Sequence, residues 1–531
     1  MINTPSTWAN FSVRRLRACS PTKSGLLGSI PWSPALADDF RERCGYDLRD
    51  NLHALLDPDA EDAARIRYDY YQCVHLLLRE SYHKQVHDWC ERHGPQYVAE
   101  VPSVRHTTQL YSHVPGGDTA HEKLGRSLDW ILNHQADSFR SNAKMVSSLA
   151  RQLGRKRNLI ECFHSVGWSM TLQDARWMID RMAAQGTNFF NFHAFFYTVD
   201  GMTQHDAPPS QFLQNPYWPH FRKLGDYTGR ISYVMSSGEA VISAAVLQPT
   251  TSLWARMGNP FHGFAYGGTD PEEKERLQSL RRWWIRTCNE LTRQGRDYDH
   301  LDPESLAEAE IGDGTIRLGD ACYRVLILPP MTNLEGAAWA KLEAFLERGG
   351  KVISLGQSPY ETIEPSAWDP AAAVKTFGLP EGAVTAGFWE PEREERPKRH
   401  KGPRHAYYLP FSAAADANAA LEPFTALLEE LEPLPVRSLP ACGDWGLLLQ
   451  TRRMEEDKVL IFISNQEAEP REVESCGWSR IYGRQTERGP RGWRSGSCRW
   501  IRARSFGLTK HAAWANLGRF RAAGAVRGPP H

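Results

Sequence analysis

The chain has no CxxC pair, no HExxH helix, no Gly-rich nucleotide-binding turn and no apolar run long enough to span a bilayer. Each absence closes a class. The ten cysteines (44, 73 and 90 among them) are scattered, which argues against a zinc finger and a disulfide framework and fits reduced thiols in a cytoplasm. Lysine plus arginine number 63 and aspartate plus glutamate 63, so no net field favours nucleic acid or an anionic membrane. The first 24 residues carry Arg14, Arg15 and Arg17 but no continuous apolar stretch, unlike a secretion signal. No membrane segment is expected, and the reading is a soluble, cytoplasmic protein.

What remains is ordinary globular composition, 41% hydrophobic and 24% charged over 531 residues, enough for two or three domains. Aromatics reach 11%, with 18 Trp. Trp offers flat apolar faces to a ligand, though large rings fill cores equally well.

Periodicity organises the chain. Leu36, Phe40 and Cys44 recur at helical spacing up to Gly45. A longer helix is expected from Asp62 to Arg92, with Ile66, Tyr70, Val74, Leu77 and Leu78 on one face and a stop at Gly94. Gln96–Glu100 reads as a short strand ending in a carboxylate. A helix is expected over Leu128–Leu153, then a buried strand over Asn158–Phe163. Thr171 caps a helix over Leu172–Ala184, and Asn188–Phe196 reads as a strand covered on both faces.

Strands alternating with helices imply parallel βαβ units. The fold expectation is α/β: a partial (β/α)8 TIM-type barrel over 25–255, then an α/β domain over 256–385. A partial β-rich module follows over 386–476, including strands at Trp445–Thr451 and Lys458–Ser464. Residues 1–24 are read as an atypical N-terminal segment. The tail, 477–531, holds eleven Arg and one Lys against the single acid Glu487, and is expected to be disordered.

Carboxylates at strand ends carry the chemistry. Cleaving a glycosidic bond needs one acid to protonate the leaving oxygen and a second carboxylate as base or nucleophile. Glu161 ends an apolar strand and Glu100 ends a weaker one, so both sit where a barrel gathers catalytic groups. The bland reading is a carboxylate paired to an arginine on the rim. Asn191 and His193 share a strand face by i, i+2 spacing and are suited to sugar hydroxyls; a satisfied core histidine is the alternative. Trp168, Tyr197, Tyr217 and Trp218 are candidates to stack on a pyranose, or to pack a core. The loop with Asp206, Pro208, Pro209 and Asn215 is rigid and polar, suited to binding or merely to connection. His83 and His87, four apart and beside Asp88, have metal-ligand spacing, but a solvated helix face accounts for them better.

The runs Glu161-Cys-Phe-His-Ser-Val-Gly167-Trp-Ser-Met-Thr-Leu-Gln-Asp174 and Asn191-Phe-His-Ala-Phe-Phe-Tyr197 resemble the glycoside hydrolase family 106 group, which is α-L-rhamnosidase-like. So do His205–Pro216 and Asp226–Tyr233. The resemblance covers about Gly25 to Glu474. It implies a (β/α)8 barrel followed by a glutamine-amidotransferase-like domain and β-sandwich modules. It implies hydrolysis of terminal α-L-rhamnosyl or related linkages with inversion, a bound calcium ion, and Glu161 as a catalytic carboxylate on a late barrel strand. The substrate class is an oligosaccharide or glycoside. A β-galactosidase-like enzyme and a non-catalytic sugar-binding remnant are the alternatives.

Departures lie at the ends. Where the group carries an acidic Thr-Asp-Glu-Pro-like stretch before the Gly-Leu that matches Gly25-Leu26, this chain reads Ser20-Pro-Thr-Lys-Ser24. Earlier barrel strands are missing, and the Arg-rich tail stands in for β-structure. The expectation is an incomplete copy, its ends shifted in frame or degraded, which the other reading frames of the DNA test.

Overall fold

The computed structural model describes residues 18–19, 30–101, 105–118, 142–205, 207–260, 263–364, 371–379, 387–390, 399–434, 436–439, 447–455, 458–466, 472–475 and 513–516. Asp206, Ser20–Ser29 and Leu128–Arg140 lie outside them.

Five strands run parallel and side by side in chain order. They are β1 (Ala18–Cys19), β2 (Gln96–Tyr97), β3 (Gly116–Asp118), β4 (Leu159–Cys162) and β5 (Phe189–Phe192). A parallel bridge between Val98 and Val114 joins β2 to β3. Between the strands lie α1 (Pro34–Cys44), α2 (Ala63–Leu78), α3 (Lys84–His93), α4 (Ala143–Gln152) and α5 (Leu172–Ala184), and α6 (Phe221–Met235) follows β5. The expected long helix is α2 and α3 joined by a π turn at Arg79–His83.

Capping explains the boundaries. The Thr171 hydroxyl accepts the Asp174 N–H while the Asp174 carboxylate accepts the Thr171 N–H, a reciprocal start for α5. Gly45 and Gly94 take the left-handed conformation that ends α1 and α3.

Side chains alternate along β4. Ile160 and Cys162 face α5 and α6, in a core with Met178, Ile179, Met182, Leu224 and Ile231. Leu159 faces the other way and packs with Val98 and Val114. Glu161, two residues on, shares that second face.

Two expectations change. The strand read as Asn188–Phe196 is only Phe189–Phe192, and it is not covered on both sides: Phe190 and Phe192 pack against the helix-side core, whereas Phe189 is 39% exposed and Asn191 is exposed. Among the described residues no strand lies beyond β5, so its outer edge is unpaired. For the same reason the five strands form an open parallel sheet; among the described residues they do not close into a cylinder.

A second sheet follows. It contains β6 (Ala244–Leu247), β7 (Asp299–Leu301), β8 (Val325–Leu328), β9 (Lys351–Leu355), β10 (His400–Lys401) and β11 (Ala406–Leu409), in the order β7-β6-β8-β9-β11-β10. All pairings are parallel except β10 with β11. Every residue of β6 and β8 is buried, as strands covered on both faces should be. One face packs on α1, α2 and α7 (Pro271–Arg293); the other packs on α8 (Gly336–Glu347).

The strands β12 (Leu447–Glu455) and β13 (Lys458–Asn465) form a long hairpin, which places Leu448 and Phe462 in the core of α5 and α6. Within the basic tail, β14 (Ala513–Asn516) pairs antiparallel with β13, so this segment joins a sheet instead of standing apart from the fold. Among the described residues no helix is long and apolar enough to cross a membrane, and Cys44, Cys73, Cys90, Cys162, Cys288 and Cys322 form no disulfide.

Candidate active site

Register builds the site. Asp118 ends β3 opposite Glu161 of β4, and Glu161 stands opposite Asn191 of β5. Neighbours in a parallel sheet point to the same face, so these three side chains line up across it. Glu100 joins from the extension of β2. The Ala99 N–H donates to the Val114 carbonyl at 3.1 Å and the Val101 N–H to the Gly116 carbonyl at 3.3 Å, which continues the parallel ladder past Glu100.

The result is a trio. Glu100, Asp118 and Glu161 are each 2–3% exposed, and carboxylate oxygens of the three lie within 4.8 Å of one another. Carboxylates this close repel unless they share a proton or a cation. Beneath them the face is apolar, formed by Val98, Val114 and Leu159.

Two features hold the trio in place. Gly116 lets β3 approach the Glu100 segment: a Cβ there would lie 2.0 Å from the Ala99 carbonyl oxygen. The Gln109 side chain clamps the same residue, accepting the Gly116 N–H and donating to the Gly116 carbonyl, both at 2.8 Å. Directly after Glu161 the chain turns sharply, with Phe163 at φ 78°, Ser165 at φ 57° and Gly167 at φ 105°. Non-glycine residues rarely hold such angles, and buried Phe163, packed 5.0 Å from the Phe192 ring, anchors the turn.

The other sequence candidates disperse around this centre. The His193 ring sits edge-on to His164 at 4.8 Å and is half-buried. Trp168 is 41% exposed and its indole N–H donates to the Gln204 carbonyl at 2.8 Å. Tyr197 is 95% exposed. Both ends of the Asn215 amide serve their own loop, donating to the Ser210 carbonyl and accepting the Tyr217 N–H, each at 2.9 Å. Trp218 packs among Phe195, Phe212 and Phe221.

The expected histidine pair separates. His83 turns inward, its Nδ1 2.6 Å from the Tyr97 hydroxyl, and burial pushes its pKa down to about 4. His87 lies on the partly open side of α3.

Asp118 is absent from the sequence candidates. Its strand reads Val-Pro-Gly-Gly-Asp, and paired glycines after proline look like a turn. An acid placed between two strand–helix units was the signal available.

Donor chemistry separates cation classes. Hard cations take oxygen ligands at about 2.3–2.6 Å, so oxygens on opposite sides of such an ion stand roughly 5 Å apart. The all-oxygen trio fits a calcium ion by that measure.

No protein-family model and no curated protein sequence matches the chain. Solved structures do. A rhamnosidase from Novosphingobium sp. PP1Y aligns with a TM-score of 0.54 at 17% identity, over 84% of this chain and 39% of that one. A β-galactosidase from Bacillus circulans sp. alkalophilus aligns at 0.59 and 14% identity, over 88% of this chain and 76% of that one. Gan42B, a GH42 β-galactosidase from G. stearothermophilus, aligns at 0.58 and 13% identity, over 83% and 71%. The chain therefore has a fold that glycoside hydrolases use, and it spans about two fifths of the rhamnosidase's length.

Proposed function

We propose that this chain carries the active-site part of a glycoside hydrolase for terminal α-L-rhamnosyl or similar linkages. The observation that carries the reading is the buried trio Glu100, Asp118 and Glu161 at the C-terminal ends of neighbouring parallel strands. Glu161 is the proton donor to the leaving oxygen, and Glu100 is the second carboxylate. Asp118, in register with Glu161, orients the pair. Asn191, His193, Trp168 and Tyr197 form the sugar-contacting rim, and Asn215 and Trp218 brace the loop beyond β5.

Spacing bears on the stereochemical outcome. An inverting pair stands about 6.5–9.5 Å apart to admit a water, and a retaining pair about 5–5.5 Å. One oxygen from each of Glu100 and Glu161 lies within 4.8 Å of the other, nearer the retaining range than the inverting one, which supports attack by the second carboxylate, with retention. The inversion implied by the family resemblance is not the outcome this spacing favours. With all three carboxylates ionised the same trio would hold a calcium ion, a state distinct from the one in which Glu161 keeps its proton for the leaving oxygen. The same reading takes 256–385 as an amidotransferase-like domain and 386–476 as part of a β-rich module.

Hydrolysis of aryl α-L-rhamnoside and aryl β-galactoside by the purified chain, beside Glu161→Gln, tests this. Turnover of the rhamnoside is expected to fall about 10²–10⁴-fold in the variant. Turnover of the galactoside alone supports the β-galactosidase-like reading. Sugar binding with no turnover of either supports the non-catalytic one, and wild-type activity in Glu161→Gln removes the proposed proton donor.

A further inference from the structure

We infer that Gln109 is a positioning residue for the proposed reaction: by gripping Gly116 it sets the gap between Glu100 and the Asp118–Glu161 pair. The inference rests on the carboxylate reading of the site and deepens it.

The residues around Gln109 are a costly choice for an interior. Arg105-His-Thr-Thr-Gln109 places five polar side chains in a row, the last four in a 3₁₀ turn, and each is 0–4% exposed. Burying polar groups is unfavourable unless each finds a partner, and an apolar turn would fill the same space without that penalty. Here the partners lie in two directions. The Arg105 guanidinium bonds Asp302 and Glu335, the Thr107 hydroxyl bonds Glu304, and the Thr108 hydroxyl lies 2.9 Å from His75 Nδ1. Those bonds fix the turn to α2 and to loops of the six-stranded sheet. Gln109, at the far end of the turn, reaches the site sheet instead.

Gly116 is where it acts. The Gly116 carbonyl accepts the Val101 N–H, so Gly116 is the residue of β3 that stands across from Glu100. In a regular parallel ladder the Gly116 N–H would donate to the Ala99 carbonyl. It donates to Gln109 Oε1 at 2.8 Å, while Gln109 Nε2 donates to the Gly116 carbonyl at 2.8 Å. One amide therefore holds both polar groups of the residue facing Glu100 and, two residues before Asp118, fixes the direction that strand takes. Displacement at an anomeric carbon tolerates little error in the approach of the attacking group. Without the clamp, β3 and the Glu100 segment shift against each other, and the second carboxylate loses its line to the carbon.

The test uses the full chain and the dinitrophenyl glycoside of whichever sugar the wild type hydrolyses. That leaving group departs without a proton, so its rate reports on the attacking carboxylate. Gln109→Met keeps the side-chain length and loses both bonds; Gln109→Glu keeps only the acceptor for the Gly116 N–H. Each is first compared with wild type by circular dichroism and urea unfolding. In folded variant, kcat is expected to fall roughly 10²-fold while KM stays within about twofold. Added azide should restore part of the rate in Gln109→Met as a glycosyl azide: nitrogen bonds the anomeric carbon while dinitrophenolate leaves, one anion exchanged for another. Wild type should give no such product, and loss of folded protein cannot create one. Wild-type kinetics in a folded variant, or a loss that follows the unfolded fraction with no glycosyl azide, overturns the inference and leaves the carboxylate reading standing. Turnover of no aryl glycoside by the wild type removes that reading, and the inference with it.

Discussion

The six-stranded sheet buries every residue of β6 and β8 between two helical layers, whereas β5 at the rim of the site sheet leaves Phe189 39% exposed. The six-stranded sheet has apolar cores on both faces. The site sheet has a large core on its helix side, but on the carboxylate side only Val98, Val114 and Leu159. A face that must present acids has little apolar area with which to hold itself. Polar clamps do that work instead. Arg105 reaches Asp302 at 2.7 Å and Glu335 at 2.8 Å and lies 5.1 Å from the Trp254 ring, with its side chain and that of Asp302 fully buried. Lys144 of α4 meets Asp297 at 2.5 Å, just before β7, and Gln152 donates to the His300 carbonyl at 2.7 Å.

The sharpest way to break this contrast is to remove a clamp. Arg105→Ala strands two carboxylates in the interior and is expected to cost about 3–5 kcal/mol in urea unfolding. Arg399→Ala, which loses the exposed pair with Glu430 at 2.9 Å and a contact over the Tyr407 ring at 4.7 Å, should cost clearly less. Equal losses would sink the idea that the seam is held by its buried charges.

Acid should find the same seam. Burial holds His75 at about 4 and His106 at about 3, below the ordinary histidine value, although a hydrogen bond with Glu304 pulls His75 upward. The unfolded chain therefore binds protons that the folded chain refuses, and stability falls as pH drops from about 6.5 toward 4. Each ring contributes about 2 kcal/mol of loss between pH 6.5 and pH 5. A urea midpoint that is unchanged between pH 7 and pH 5 contradicts this.

Gly116→Ala probes the site sheet alone. The new methyl meets the Ala99 carbonyl, so about 1–3 kcal/mol of stability is expected to go, together with the proposed sugar-cleaving turnover as Glu100 shifts. In α6, a methyl added at Gly225 meets nothing within 4 Å, and Gly225→Ala should stabilise by about 0.5–1 kcal/mol. The smallest effect is expected at the open rim. Phe189→Ser should cost about 1 kcal/mol or less while reducing self-association in light scattering, because the edge loses an exposed aromatic ring.

Much of this was legible in the residues. Glu161 was legible as the acid at the end of an apolar strand and Thr171 as the cap of α5, while the face Glu161 takes emerged only with the register. Glu100 was legible as the acid that follows an apolar strand. Asp118 was not, since Gly116 and Gly117 look like a turn until a neighbouring carbonyl is seen to need the space of a missing side chain. Phe-Phe-Asn-Phe looked doubly buried because composition reports apolarity and cannot report that a neighbouring strand is lacking. The His83–His87 spacing was visible, but the π turn before α3 and the pull of Tyr97 sent the two rings to different surroundings. Nothing in the basic tail's charge pattern foretold that Ala513–Asn516 would pair with β13.

Arg105 stands only five residues beyond Glu100, and its carboxylate partners belong to the other sheet. Pulling the second unit away from the first would thus untether an acid of the proposed active centre, even though the lost carboxylates lie far from it in sequence. Whatever reshapes the loops holding Asp302 and Glu335 reaches the sugar-facing surface through one guanidinium, so the two halves must change together or not at all.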